Sequence, residues 1–322
     1  MQQALQTAAD APGYPLTAGT PALRASIAGW LATRHGVVGL DPADVLPTVG
    51  SKELVALLPT LLGLGPGDRV VHPKLAYPTY DIGARIAGAI PVPADGLAAL
   101  GPAPVRLVWV NSPANPTGQV RPAAHLRKVV DWARERGAVV ASDECYLDLG
   151  WDEQPVSILH PDVCGDTHAG LLAVHSLSKR SNLAGYRAGF VAGDPELVRR
   201  LLAVRRHAGL IVAAPVQAAM TAAYADEAHV AEQRQRYAGR RDTLLAALRA
   251  YGLRVDHSTA GLYLWATAEE DCWVTVARLA ELGVLVAPGE FYGAGGRRHV
   301  RAALTATDER IAAAADRLTP AP

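Results

Sequence analysis

The sequence predicts an α/β fold, with a mostly parallel central sheet flanked by helices and a smaller α+β unit behind it. Three observations carry this expectation. Apolar runs at 105–111 (VRLVWVN), 138–144 (AVVASDE), 170–176 (GLLAVHS) and 188–194 (AGFVAGD) are short and bounded by turn or polar residues, as buried strands are. Helical patterns lie between several of them, and strands that alternate with helices build parallel sheets. Finally, polar segments follow the runs immediately: Asn111 to Gly118, Asp143 to Tyr146 and Ser176 to Lys179. In open α/β sheets, ligands gather at the carboxyl ends of strands.

In chain order, the first dozen residues read as the tail of a helix. VGSKE (49–53) opens a helix directly after a strand. After strand 105–111 comes a helix at 122–136, starting behind Arg121-Pro122, where a proline suits the first turn; its spacing is that of an ordinary amphipathic surface helix, which accounts for Lys128. Strands 138–144, 170–176 and 188–194 follow. From Pro215 to about Arg249 the chain is alanine-rich with helical spacing, and LRVDHSTAGLYLWAT (253–267) alternates like a strand. A chain of 322 residues is long enough for two cores, since single cores tend to split beyond roughly 250 residues. The expected division is an N-terminal remnant at 1–11, a large domain at 12–240 and a small C-terminal domain at 241–322.

Composition excludes several classes of function. The 31 acidic residues match the 31 basic ones, and no basic cluster is interleaved with aromatics, so no nucleic-acid partner is expected. No apolar run approaches the ~18 to 20 residues that cross a bilayer, and no secretory leader pattern follows Met1. A soluble, cytoplasmic protein is the expectation. Cys145, Cys164 and Cys272 are too scattered for a C-x-x-C pair and read as structural thiols.

Lysine usage is informative: Lys52, Lys74, Lys128 and Lys179 stand against 27 arginines. An arginine stays protonated near neutral pH, whereas surroundings can make a lysine amine neutral and nucleophilic. Lys179 stands out in HSLSKRSNLAGYRAGF (175–190), where Arg187 follows eight residues later. Taken singly, each candidate has a plain structural reading. Asp143 could be a cap or turn residue, Tyr146 a half-buried aromatic, and Asn115 part of a rigid NSPANPTG turn. Asp143, at the end of a continuous apolar strand, would still need a positive partner to be buried. His175 and His207 read as core or surface histidines, and Lys74 as a loop charge.

Together the motifs resemble the class I/II aminotransferases of fold type I, which use pyridoxal 5'-phosphate. NSPANPTG (111–118), SDECY (142–146) and SLSKRSNLAGYRAG (176–189) carry the resemblance, with YPLTAGTPALR (14–24), VGSKE (49–53), AYPTY (76–80), GLYLW (261–265) and HVRAALT (299–305). The resemblance implies that Lys179 anchors the cofactor covalently and, once displaced by substrate, moves the proton. It implies that Asp143 keeps the cofactor's ring nitrogen protonated. Asn115 and Tyr146 would hydrogen-bond the ring hydroxyl oxygen, and Tyr77 would stack on the ring face. The phosphate would be held by the backbone N–H groups of Ser51 and Lys52 at a helix start, by the Ser176 hydroxyl and by the Arg187 fork. Tyr14 of a neighbouring subunit would also reach it, which implies a homodimer with shared active sites. Arg301 would clamp the substrate carboxylate, with Asn115 also assigned to substrate binding, and Asn115-Pro116 would be cis.

The wording of several segments is most like that of actinobacterial succinyldiaminopimelate aminotransferases. This resemblance implies N-succinyl-L,L-diaminopimelate and 2-oxoglutarate as substrates, in a ping-pong reaction of lysine biosynthesis. Arg180, Arg297 and Arg298 are the candidates for distal carboxylates. Members of the family carry a further stretch before the position of residue 1, with a glycine-bearing segment over the substrate, so the expectation is either that the native chain starts further upstream or that the pocket is more open. Other amino acid aminotransferases and C–S lyases share the same constellation. A non-enzymatic sensor is disfavoured, because no basic arm or helix-turn-helix segment precedes the site.

Overall fold

The computed structural model describes residues 1–319. Strands β1 (Val45–Val49), β2 (Arg69–His72), β3 (Ile90–Pro93), β4 (Leu107–Asn111), β5 (Val139–Asp143), β6 (Leu171–Ser176) and β7 (Ala188–Gly193) form one seven-stranded sheet in the order β1-β7-β6-β5-β4-β2-β3. Strands β6, β5, β4, β2 and β3 run parallel, and β7 runs against both of its neighbours, β1 and β6. The apolar runs explain this placement, because strands without a polar face must be covered on both sides. On β4, Val108 and Val110 enter one hydrophobic cluster and Leu107 and Trp109 the other, the period-2 alternation of a strand.

Helices α1 (Gln2–Thr7), α2 (Pro21–His35), α3 (Gly50–Leu61), α4 (Thr79–Ile86), α5 (Ala123–Arg134), the single turns α6 (Pro161–Cys164) and α7 (Leu177–Arg180), α8 (Pro195–His207) and α9 (Ala214–Tyr224) surround the sheet. Helix α2 is delimited locally: Thr20 accepts a hydrogen bond from Leu23 N, Pro21 occupies the first turn, and Gly36 ends the helix at φ 63. Leu23, Ile27 and Leu31 of α2 join Leu126 and Val130 of α5 on one face of the sheet. Leu54 and Leu58 of α3, Tyr80 and Ala84 of α4 and Leu201 of α8 cover the other.

The chain then forms α10 (Ala228–Ala250), β8 (Arg254–Asp256), β9 (Tyr263–Thr267), α11 (Cys272–Glu281), β10 (Ala287–Pro288), β11 (Val300–Ala303) and α12 (Asp308–Leu318). These strands make a second, wholly antiparallel sheet in the order β10-β11-β9-β8. The single strand expected over 253–267 is in fact two. His257 and Ser258 take left-handed backbone angles (φ 51 and 58) and turn the chain. The turn docks on the main body, where Ser258 N donates to Thr117 O at 2.9 Å and Ala260 N to Gly118 O at 3.0 Å. The division expected at residue 240 falls inside α10, an unbroken helix whose Tyr237 and Leu244 both pack with the second sheet. We propose that α10 is the bridge between the two units.

One edge of the main sheet concentrates polar side chains. The carboxyl ends of β1, β4, β5 and β6 meet there, with the amino end of the reversed β7. Register pairs Asn111 with Asp143, Ser176 with Gly189, and Val49 with Ala188.

Candidate active site

At this edge α3 begins without a side-chain cap, since its N-cap residue is Val49. The leading N–H groups of a helix so built are free for an external acceptor and carry the positive end of its dipole. Gly50 has φ +71, and a Cβ there would lie 2.3 Å from Arg187 Nη2. Gly189 is equally confined, as a Cβ would meet Ser51 N at 2.8 Å. Arg187, itself at φ 54, is steadied by Nη1 donating to Ala184 O at 2.8 Å. Ser176 Oγ accepts from Ser178 N at 3.1 Å and lies 2.9 Å from Ser178 Oγ, starting the turn that carries Lys179. Glycines, backbone amides, serine hydroxyls and a guanidinium thus form a cradle that suits an anion such as phosphate.

Asp143 is buried at the end of β5. Its Oδ2 accepts from Tyr80 Oη at 2.8 Å and its Oδ1 from Cys145 N at 3.2 Å. Among the described residues no lysine or arginine bridges it, so a carboxylate held by neutral donors faces the cavity. That donor set fits a cationic ring nitrogen. Burial, reinforced by Asp143, pushes the Tyr80 phenol and the Cys145 thiol up, so both stay protonated.

On the other wall, Asn111 fixes the 112–118 loop. Its Nδ2 donates to Pro113 O at 3.0 Å and Asp143 O at 2.9 Å, and its Oδ1 accepts from Asn115 N at 2.7 Å. The Asn115-Pro116 bond is cis. Asn115 Oδ1 accepts from Arg301 Nη1 at 2.9 Å, and Tyr146 Oη lies 3.0 Å from Tyr263 Oη.

Ser51, Lys52, Tyr77, Asn115, Asp143, Tyr146, Ser176, Lys179, Arg187 and Arg301 all line one cavity of about 440 Å³. Tyr14 does not; it is 99% exposed on the surface. Asn111 and Ser178 lie in polar segments that the sequence marks but were given no individual role, whereas Tyr80, Tyr263, Phe291 and Tyr292 were not anticipated. Tyr80 and Tyr263 stood inside quoted motifs, AYPTY and GLYLW, but their hydroxyl partners are 63 and 117 residues away. Cys145, expected to be a plain structural thiol, lines the cavity, its Sγ 3.2 Å from Ser51 Oγ.

The three arginines considered for distal carboxylates are not in the cavity wall. Arg180 is buried elsewhere, bridging Asp148 at 3.0 Å and Glu227, because its short turn aims it away from Lys179. Arg297 pairs with Glu290 and Arg298 with Glu269, both largely exposed. His175 is a core histidine, 3.1 Å from Glu144, while His207 and Lys74 are exposed.

The family profile described as aminotransferase class I and II matches residues 1–318. Over 319 residues the chain is 63% identical to a protein of Mycobacterium tuberculosis named a probable aminotransferase, covering 99% of this chain and 76% of that one. It is 61% identical over 319 residues to the 4-dedimethylamino-4-oxo-anhydrotetracycline transaminase OxyQ of Streptomyces rimosus, covering 99% and 89%. The solved N-succinyldiaminopimelate aminotransferase of M. tuberculosis superposes with a TM-score of 0.88 at 29% identity, covering 98% of this chain and 88% of that one.

Proposed function

The chain belongs to the class I and II aminotransferases, whose cofactor is pyridoxal 5'-phosphate, and from that premise we propose the role of each cavity residue and the substrates. The observation that carries the reading is that Lys179, Asp143 and Arg187 converge on one sheet edge and one cavity. The N-terminus of α3, Ser176 and Arg187 hold the phosphate. Asp143 would hold the proton on the ring nitrogen, Asn115 and Tyr146 would donate to the ring oxygen, and Tyr77 would cover the ring face. When bound, the cofactor supplies an electron sink that makes the substrate Cα–H acidic. Lys179 Nζ would be the covalent anchor for the cofactor, and its amine is the group placed to accept and return the substrate Cα proton. Arg301, a planar cation, grips the substrate carboxylate and so orients that Cα–H bond toward Lys179. Over a ping-pong cycle, one amino acid and one oxo compound would be exchanged for the corresponding 2-oxo acid and amine.

For the finer assignment we propose N-succinyl-L,L-diaminopimelate as amino donor with 2-oxoglutarate as acceptor. The wording of the HSLSKR, DECY and GLYLW segments and the likeness to the solved mycobacterial enzyme support it. A second reading is favoured by the Streptomyces relative: a carbocyclic ketone as acceptor, which the aromatic wall of Tyr77, Phe291 and Tyr292 would suit. Amino donors, including succinyldiaminopimelate and glutamate, should be scored by loss of the bound cofactor's visible band, and acceptors by its recovery. Recovery by a carbocyclic ketone but not by 2-oxoglutarate selects the second reading, and acceptor-independent release of pyruvate and ammonia would indicate a lyase. The Lys179→Ala variant should lose turnover, and borohydride should leave no pyridoxyl adduct on its 176–187 peptide. An active variant would refute the role.

A further inference from the structure

We infer that Tyr263 is a positioning residue that joins the carboxylate grip to the donor facing the cofactor ring, so that one side chain sets both. It acts within the aminotransferase site proposed above. Four side chains, Asn115, Arg301, Tyr263 and Tyr146, are linked in series along the cavity wall. Arg301 Nη1 donates to Asn115 Oδ1 at 2.9 Å, and the Arg301 guanidinium carbon lies 3.8 Å from the Tyr263 ring centroid. Tyr263 Oη is 3.0 Å from Tyr146 Oη, and Tyr146 and Asn115 both line the cavity.

The two ends of Tyr263 do different physical work. A phenol has a single proton, so Tyr146 can donate into the cavity only if Tyr263 is the donor within the pair. A hydroxyl that accepts one hydrogen bond becomes a better donor in the next, most of all where water is excluded. Tyr146 and Tyr263 are both buried. Burial pushes the Tyr146 phenol up, so it keeps its proton. Asp143 and Cys145 face it from its own strand end, and Arg301, Tyr292 and Tyr237 surround Tyr263.

The ring of Tyr263 does the rest. With Tyr292, whose centroid is 4.9 Å from the guanidinium, it flanks Arg301 with aromatic surface. Aromatic faces attract a cation without neutralising it. Among the described residues no carboxylate bridges Arg301, and its Nε is buried without a hydrogen-bond partner. The charge is therefore presented, oriented and uncompensated, to an incoming anion.

Two variants separate these ends. Tyr263→Phe keeps the ring and loses the hydroxyl. In the substrate-free holoenzyme, the pH at which the cofactor's visible absorption changes should rise by roughly half a unit or more, the effect of weakening one hydrogen bond. The KM for the amino donor should stay within about twofold, since the cation–π face is intact. Tyr263→Leu loses both, and should add a rise of about tenfold in KM. Circular dichroism and the cofactor dissociation constant, read alongside, separate these effects from general loosening, which would move both variants together. A titration unmoved or lowered in Tyr263→Phe, or an unchanged KM in Tyr263→Leu, would overturn the inference. Absence of any cofactor band in the wild type would sink the aminotransferase site itself and Tyr263's role with it, a separate result.

Discussion

Asp143 shows what a buried charge requires and how much of that requirement is local. Its position at the end of an apolar strand was legible in AVVASDE, and so was the need for stabilising partners. Tyr80, the donor at 2.8 Å, was not, because a tyrosine on an amphipathic helix looks the same whether its hydroxyl meets water or a carboxylate 63 residues away. The Tyr80 ring stacks on Trp109 with centroids 5.0 Å apart, and this contact survives removal of the hydroxyl. Tyr80→Phe should therefore fold and lose about 2 kcal/mol of stability, as expected for a hydrogen bond to a charged group. Denaturant unfolding of the two proteins measures the difference, and a loss below a few tenths would mean that the bond contributes nothing net. Asp143→Asn should instead preserve the fold and lower turnover roughly a hundredfold or more, since its effect is on the ring nitrogen. Single-turnover kinetics of Cα deprotonation measure that step, and an unchanged rate would mean the ring needs no carboxylate here.

At the scale of elements, β4, β5, β6 and β7 were readable because burial on two faces leaves a continuous apolar signature, whereas the interior strand β2, only four residues long and bounded by Arg69 and His72, was not. β3, Ile90–Pro93, escaped: it is an edge strand, four residues long, with two prolines that only an edge tolerates. The hairpin of β8 and β9 escaped because its turn residues, His257 and Ser258, are not the glycine or asparagine that usually mark left-handed backbone. The start of α3 depends on a partner that no local pattern announces. Glu53 Oε2 accepts from Val49 N at 3.2 Å, and the same carboxylate is gripped by Arg205 at 2.7 and 3.0 Å. Arg205 is fully buried on α8 and also donates to Leu210 O at 3.3 Å. Arg205→Leu leaves Glu53 largely buried without its cation, and should lower stability by about 3 kcal/mol. It should also raise the cofactor dissociation constant, because the amides of Ser51 and Lys52 are carried on the loosened turn. Adding Glu53→Gln should restore part of the stability, since replacing both charges avoids the unpaired one. Urea unfolding and cofactor titration of the single and double variants check this, and a double variant less stable than Arg205→Leu would contradict it.

For the whole molecule, the order of motifs along the chain made the fold and most of the cavity legible, while the distal part of the substrate site was not. Arg180 shows why: next to Lys179 in sequence, it is buried in ion pairs with the buried Asp148 and the half-exposed Glu227 that only the packed fold defines. Tyr14 poses the largest question of scale. A tyrosine side chain 99% exposed, in a stretch where Leu16 is also 57% exposed, has no packing role within its own protomer. The resemblance implies that it reaches the phosphate of a neighbouring subunit, and we propose a homodimer on that basis. Sedimentation should then give twice the 33.8 kDa of the chain. Tyr14→Ala should weaken binding of pyridoxal phosphate several-fold, by about 1 kcal/mol for one lost hydrogen bond, and leave binding of unphosphorylated pyridoxal unchanged. Mixing gives the decisive comparison. A hybrid of one Tyr14→Ala subunit and one Lys179→Ala subunit contains one site with both native residues and one with neither. Refolding the two variants together should restore about half of wild-type activity per hybrid dimer at cofactor concentrations where Tyr14→Ala alone is mostly empty. If the mixture performs only as the average of its parents, Tyr14 serves its own subunit or none, and the shared site is wrong.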